Sequence, residues 1–185
     1  MCIRDRQIYE KYKTFYDEYE GLSLVYGNIF NYQADCFVTA GQSFGMCDGG
    51  IDGDVNYFFG FIEERVQKEL MDKWQGECPV GASVIIPLDP NRMMCKYLCY
   101  APTMRIPGPV PKTLNAYLAC RGALVECAKH KDIHTIIMPM LCQGCGVMDP
   151  ERILHQIKCA WKTFYDPTKC DWHKINDAEF ELWSL

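Results

Sequence analysis

The apolar positions of this chain repeat at two periods, and the period switches several times along its length. Residues 7–19 place Ile8, Tyr12, Phe15, Tyr16 and Tyr19 near helical spacing and predict a helix. The apolar runs 22–26 and 34–40 predict strands. A glycine-rich segment, 41–53, follows. Beyond it Val55, Phe58, Phe59, Ile62, Val66 and Leu70 form one stripe, which predicts a single long helix over 54–74. Runs 82–88 and 96–101 predict two more strands, and the proline-rich stretch 102–112 a loop. Thr113 can cap a helix reaching about Lys129, with Leu114, Tyr117, Leu118, Leu124, Val125 and Ala128 on its apolar faces. A strand is expected over 133–140. A second glycine-containing loop, 141–148, leads to Asp149, a good N-cap, and Pro150, suited to a first helical position. The helix that follows buries Ile153, Leu154, Ile157, Trp161 and Phe164. Residues 166–185 predict no regular element.

Strands alternating with helices imply crossover connections, hence an α/β fold whose sheet is mainly parallel and covered on both faces. In such sheets ligands bind in the crevice beyond the carboxyl ends of the strands. Both glycine loops fall at that edge. The first reads Gly41-Gln42-Ser43-Phe44-Gly45-Met46-Cys47-Asp48-Gly49-Gly50-Ile51-Asp52-Gly53, and the second Leu141-Cys142-Gln143-Gly144-Cys145-Gly146-Val147. Glycine permits positive φ and close approach of backbone to ligand. A following helix offers unpaired N–H groups and a positive dipole end. Together these make a diphosphate cradle that needs no lysine or arginine. Neither loop carries the Gly-Lys-Ser/Thr ending of a Walker loop or the spacing of the dinucleotide-binding fingerprint.

The run from Gly27-Asn28-Ile29 through Asp35-Cys36-Phe37-Val38-Thr39-Ala40-Gly41-Gln42-Ser43-Phe44-Gly45 to Asp48-Gly49-Gly50-Ile51-Asp52-Gly53 resembles the macro domain signature. Ala101–Pro107, the helix carrying Asn115-Ala116-Tyr117-Leu118, and the Gly144-Cys145-Gly146 loop continue it in order, so the likeness spans nearly the whole chain. It implies one macro domain over 1–185, a three-layer α/β/α fold with a mixed, mostly parallel central sheet. Residues 1–21 would be a shortened first strand plus helix, and 166–185 a C-terminal tail. It also implies binding of ADP-ribose or its derivatives by Gly49, Gly50, Ile51, Gly144, Cys145 and Gly146, with Ile29, Gln143 and Val147 as further ligand residues. Asn28 stands where the family often has the Asp that meets the adenine amine, and Gln42 where it often has an Asn aimed at the distal ribose. Asp52 matches the acid proposed to activate water in hydrolytic relatives. A metal-independent hydrolase of ADP-ribosyl or O-acetyl-ADP-ribose bonds is therefore expected, with Asp52 and Gln42 as catalytic residues and no cofactor. A module that only reads ADP-ribose is the alternative, and Gln42, one methylene longer than Asn, favours it.

Other residues compete for these roles. Asp52 and Asp48 are also what a helix N-terminus attracts for its dipole alone. Arg105 reads equally as a cleft residue and as a solvated loop cation, and Asp35 as a turn or cap residue. Cys142 and Cys145 form a C-x-x-C, and Cys95 and Cys99 would be its partner pair in a zinc site. Alternation over 96–100 would put the last two on one face, inside the fold. The four histidines have no metal-ligand spacing and read as structural or solvated.

Composition narrows the field. A net charge of −5 with scattered lysines and arginines argues against broad binding to nucleic acid or an anionic membrane. No apolar run approaches the ~20 residues of a membrane span, and residues 1–20 are charged and tyrosine-rich, unlike a signal peptide. The 12 cysteines sit mostly in apolar segments, where free thiols act as small hydrophobes. A cytoplasmic monomer with ADP-ribose or an ADP-ribosylated protein as partner is expected. Residues 1–3 read as a strand stub that leaves an exposed pairing edge.

Overall fold

A computed structural model describes residues 1–89, 94–167 and 171–185. Strands β1 (Cys2–Ile3), β2 (Val25–Tyr26), β3 (Cys36–Gln42), β4 (Val84–Pro87), β5 (Tyr97–Met104) and β6 (Ile136–Ile137) alternate with helices. These are α1 (Arg6–Tyr12), α2 (Gly50–Phe58), α3 (Glu63–Trp74), α4 (Asn115–Cys127), α5 (Pro150–Tyr165) and α6 (Trp172–Leu182). Four strands run in the order β4-β5-β3-β6. β3 is parallel to β5 and β6, and β4 is antiparallel to β5. β1 and β2 pair in parallel, and the Cys2 N–H donates to the Met138 carbonyl at 2.8 Å, which ties that pair to the end of β6.

Side-chain alternation on the strands separates two cores. From β3, Cys36 and Val38 enter the core formed with α1, α4 and α5, whereas Phe37 enters the one formed with α2 and α3. β5 does the same with Cys99 and Ala101 against Leu98 and Tyr100. The result is the three-layer α/β/α arrangement. α4 packs closely because its buried face is small: Ala116, Ala119, Cys120, Ala123 and Cys127, with Leu124. Leu118 and Val125, expected on an apolar face, are exposed there.

Several elements differ from the periodicity. The expected helix over 7–19 ends at Tyr12 and continues as turns, although Tyr16 is fully buried. The strands expected over 22–26 and 133–140 are reduced to Val25–Tyr26 and Ile136–Ile137, because their neighbours pair over only two residues. β5 runs past the expected end at Ala101 to Met104, held by pairing with β3 that shifts register between Gly41 and Gln42. The single helix expected over 54–74 is two. Gly60 and Phe61 adopt positive φ of 85° and 61°, and Phe61 N–H bonds the Asn56 carbonyl at 2.6 Å. The apolar stripe crosses this break with Val55, Phe59, Ile62, Val66 and Leu70 buried, whereas Phe58, expected in it, is 41% exposed. Part of the tail is helical: Asp171 caps α6, which packs on α5 through buried Leu182. Residues 168–170 of the expected tail lie outside the described residues. The N-terminal stub is not an edge. β1 is buried and bonded on both sides, and β2 holds the border.

Candidate functional site

The parallel strands β3 and β5 and the segment after β6 end side by side, and both glycine loops leave from that edge. Between them lies a cavity of about 300 Å³, walled by Gln42, Asp48, Gly49, Gly50, Ile51 and Asp52 on one side and Gln143, Gly144, Cys145 and Gly146 on the other. A second cavity of about 210 Å³ adjoins it and shares Ile51, Met140, Gln143 and Gly144 as walls. Its other walls include Arg4, Asn28, Ile29, Phe30 and Asp54. The two make one groove.

Helix α2 starts in this groove. Its N-cap is Gly49, with no side chain to satisfy the first N–H groups, and Gly50 follows at φ 55°. A Cβ at Gly49, Gly50 or Gly144 would meet nothing within 4 Å, so the fold leaves open space at each. Gly146 is different. A Cβ there would sit 2.4 Å from the Cys142 carbonyl oxygen, because the second loop doubles back on itself. That turn is closed by Met148 N–H to the Cys142 carbonyl at 3.1 Å and Val147 N–H to the Gly144 carbonyl at 3.1 Å. Cys142 and Val147 hold positive φ of 66° and 47°. The first loop is anchored by the Cys47 N–H donating to Glu63 Oε2 at 2.7 Å.

Asp52 lies in the first turn of α2 and is only 8% exposed. The Thr39 hydroxyl donates to its Oδ1 at 2.5 Å. Burial pushes the carboxyl up to about 7, against the pull of the Thr39 hydrogen bond, and the nearby Asp48 charge adds to the rise. Such a group takes and releases protons near neutrality while lining a cleft, the combination general-base chemistry needs. Gln42, also buried, ends β3. Its Oε1 accepts from Phe44 N–H at 2.5 Å, and its backbone exchanges hydrogen bonds with the Tyr100 hydroxyl. Its side-chain amide donor has no partner among the described residues. Gly41 is required beside it, because a Cβ would lie 2.1 Å from the Tyr100 ring.

The structure brings together most of the residues singled out from the sequence. Asn28 and Ile29 wall the smaller cavity, and the glycine-loop residues wall the larger one. Val147 does not wall either cavity and is 57% exposed. Asn28 caps a short 3-10 turn, Ile29–Asn31, its Oδ1 accepting from Phe30 N–H at 3.1 Å. Arg105 is drawn away, paired with Glu77 at 2.6 Å and lying over the Phe44 ring. Asp35 is structural, accepting from the His134 and Thr135 N–H groups and the Thr135 hydroxyl, which hold its carboxyl down at about 2. Cys142 is buried and its thiol pushed up to about 12, whereas Cys145 is exposed. Cys95 and Cys99, expected on one face, enter different cores, because the regular strand begins only at Tyr97. His155 is buried with Nε2 2.7 Å from the Glu181 carbonyl. Sequence reasoning missed Thr39, whose only signal was a hydroxyl in an otherwise apolar strand, and Thr103 and Met140 as walls. A cavity of about 480 Å³ between α4, α5 and residues 133–138 is larger, but neither glycine loop nor any carboxylate lines it.

The arrangement is a cleft at the carboxyl edge of an α/β sheet, walled by two glycine loops, an uncapped helix start and one buried carboxylate. The Macro domain family model matches residues 38–157, and the chain belongs to that family. A macro domain-containing protein of Caldanaerobacter subterraneus subsp. tengcongensis is 29% identical over 138 residues, 72% of this chain and 74% of that protein. Among solved structures, the macrodomain of Mycobacterium tuberculosis DarG superposes with a TM-score of 0.64 at 16% identity, covering 76% of this chain and 89% of that one. A glycine-to-valine variant of the Oceanobacillus iheyensis macrodomain, solved with ADPR, gives 0.61 at 15% identity and covers 76% of each chain. No helix among the described residues is long and apolar enough to cross a membrane.

Proposed function

We propose that this chain binds ADP-ribose or a derivative along the groove and hydrolyses an ADP-ribosyl or O-acetyl-ADP-ribose bond. The observation that carries the reading is a buried carboxylate, Asp52, facing the same cavity as the uncapped start of α2 and the second glycine loop. The diphosphate lies between the N–H groups of Gly49–Ile51 and those of Gly144–Gly146, stabilised by the α2 dipole. Asn28 and Ile29 flank the adenine. The free amide donor of Gln42 faces the distal ribose. Ionised Asp52 takes a proton from water as that water attacks the anomeric carbon or the ester carbonyl; the bond from that carbon to the acceptor atom or to the ribose oxygen breaks, and the proton passes from Asp52 to the leaving atom. The Oceanobacillus iheyensis relative solved with ADPR supports the ligand class. We place it in the cytoplasm as a monomer, with residues 1–185 forming one macro domain that acts on free ADP-ribose derivatives or ADP-ribosylated protein.

Calorimetric titration with ADP-ribose, with AMP as control, tests the binding. Micromolar or tighter affinity for ADP-ribose that AMP does not match is the expected result. Absence of binding in a folded sample would leave only the fold. A pure reader is the second reading, and the engagement of Gln42 Oε1 by Phe44 N–H favours it. Tight binding without product release from ADP-ribosylated protein or O-acetyl-ADP-ribose would select the reader.

A further inference from the structure

The exocyclic amine of a purine is a hydrogen-bond donor and needs an acceptor. In the smaller cavity the acceptor at residue 28 is already engaged, because Asn28 Oδ1 accepts from Phe30 N–H at 3.1 Å. That leaves Asn28 the second lone pair of an uncharged amide oxygen and its Nδ2 donor, a weaker partner for an amine than a carboxylate. Phe30 is held flat between Phe37 and Phe58, with ring centroids 5.6 and 4.5 Å away, so this wall is rigid and does not supply polarity. Across the cavity runs α2. Ile51 and Asp54 are three residues apart, and so share one face of that helix. Both wall the cavity. Asp54 is exposed and makes no hydrogen bond or ion pair among the described residues. Its neighbour Asp52 turns instead toward Thr39 and burial, as the helical repeat requires.

We infer that Asp54 is the carboxylate that reads the exocyclic amine of the purine, supplying the charge that the amide at residue 28 lacks, and that it sets the preference for adenine over hypoxanthine. The inference rests on the proposed ADP-ribose reading of the groove. An ionised acceptor opposite an amine gives a charge-assisted bond, whereas the same carboxylate opposite a carbonyl leaves two acceptors facing each other. Loss of a base-reading group therefore changes a ratio of affinities, which loss of stability does not.

The test compares ADP-ribose with its hypoxanthine counterpart, in which a carbonyl oxygen replaces the amine, by calorimetry on the wild-type chain and three variants. The wild type should bind ADP-ribose about tenfold or more tighter than the counterpart, a difference of about 1.4 kcal/mol. Asp54→Ala should bring the two affinities within about threefold, about 0.65 kcal/mol. Asp54→Asn, which keeps the shape and adds a donor for the carbonyl, should lower the ratio further. Asp54 is exposed and unbonded, so matched thermal melts will show both variants folded. A tenfold ratio that persists in both Asp54 variants overturns the inference, as does a ratio that collapses only in Asn28→Ala. Equal affinities in the wild type overturn it while leaving the ADP-ribose reading in place. A wild type that binds neither nucleotide overturns both.

Discussion

At the scale of single residues the decisive pair is Thr39 and Asp52. A buried carboxylate with one hydrogen-bond donor is tuned by that donor. Thr39→Val would remove the 2.5 Å bond, release the orientation of the carboxyl, and let burial raise its proton affinity beyond the present value of about 7. Turnover at neutral pH should fall about tenfold or more, and the rising limb of the pH–rate profile should move to higher pH. ADP-ribose affinity should stay within about threefold, since the hydroxyl is spent on Asp52. A profile with an unmoved midpoint would remove Thr39 from the mechanism. The same burial makes a stability prediction. Between the ordinary carboxylate value of 3.8 and about 7, the folded protein holds a proton that the unfolded chain releases. The site's stabilising contribution is thus complete below the unfolded-state value and is lost as pH rises through about 7. Asp52→Asn cannot ionise. Its stability relative to wild type, followed by thermal melts, should climb from pH 4 to pH 8, with a ceiling on the order of 4 kcal/mol at the alkaline end. A constant difference across that range would mean that Asp52 ionises as it does in water. Asp52 was singled out in the sequence by the macro domain resemblance, since its place at a helix start is explained equally by the dipole. Thr39 was not, because threonine in an apolar strand is also an ordinary β-former.

Elements were legible where the period was strong and lost where the backbone itself bends. Apart from exposed Phe58, the stripe from Val55 to Leu70 marked one buried face, but periodicity cannot register Gly60 and Phe61 turning the chain at positive φ. α6 escaped notice because exposed Trp172 and Phe180 blur the spacing of Ile175, Ala178 and Leu182. Glycine in the two loops was legible as a type but not by cause. Gly49 has φ −158°, extended backbone that any residue adopts, and empty space at its missing Cβ. Gly146 is pressed against the Cys142 carbonyl. Gly49→Ala should therefore fold and melt like wild type while losing about tenfold or more in ADP-ribose affinity, because the methyl group occupies ligand space. Gly146→Ala should lose stability first, its loop being forced open. Melting curves beside titrations separate the two. A Gly49→Ala variant that binds normally would show that the ligand does not approach that backbone.

For the molecule as a whole, the net charge and the proposed ligand have the same sign. The chain carries −5, and the walls of the groove add Asp48, Asp52 and Asp54 against the single cation Arg4. Arg105, the cation nearest in sequence to the edge of β5, is committed to Glu77. An anionic diphosphate held in such a place is held by backbone N–H groups and a helix end, whose partial charges act within the first turn and close to the ligand. The long-range field, in contrast, repels it, and that field is what salt screens. A phosphate clamp made of exposed lysines and arginines would lose affinity steeply as salt rises, and this groove should not. Raising NaCl from about 0.05 M to about 0.5 M, where the Debye length shrinks to a few ångströms, should leave ADP-ribose affinity within about threefold, with any drift toward tighter binding. The association rate should rise slightly as repulsion is screened. Stopped-flow and calorimetric titrations over that range check both quantities. A tenfold weakening at high salt would mean that side-chain cations close over the bound diphosphate, and the glycine loops would then be only the floor of the site.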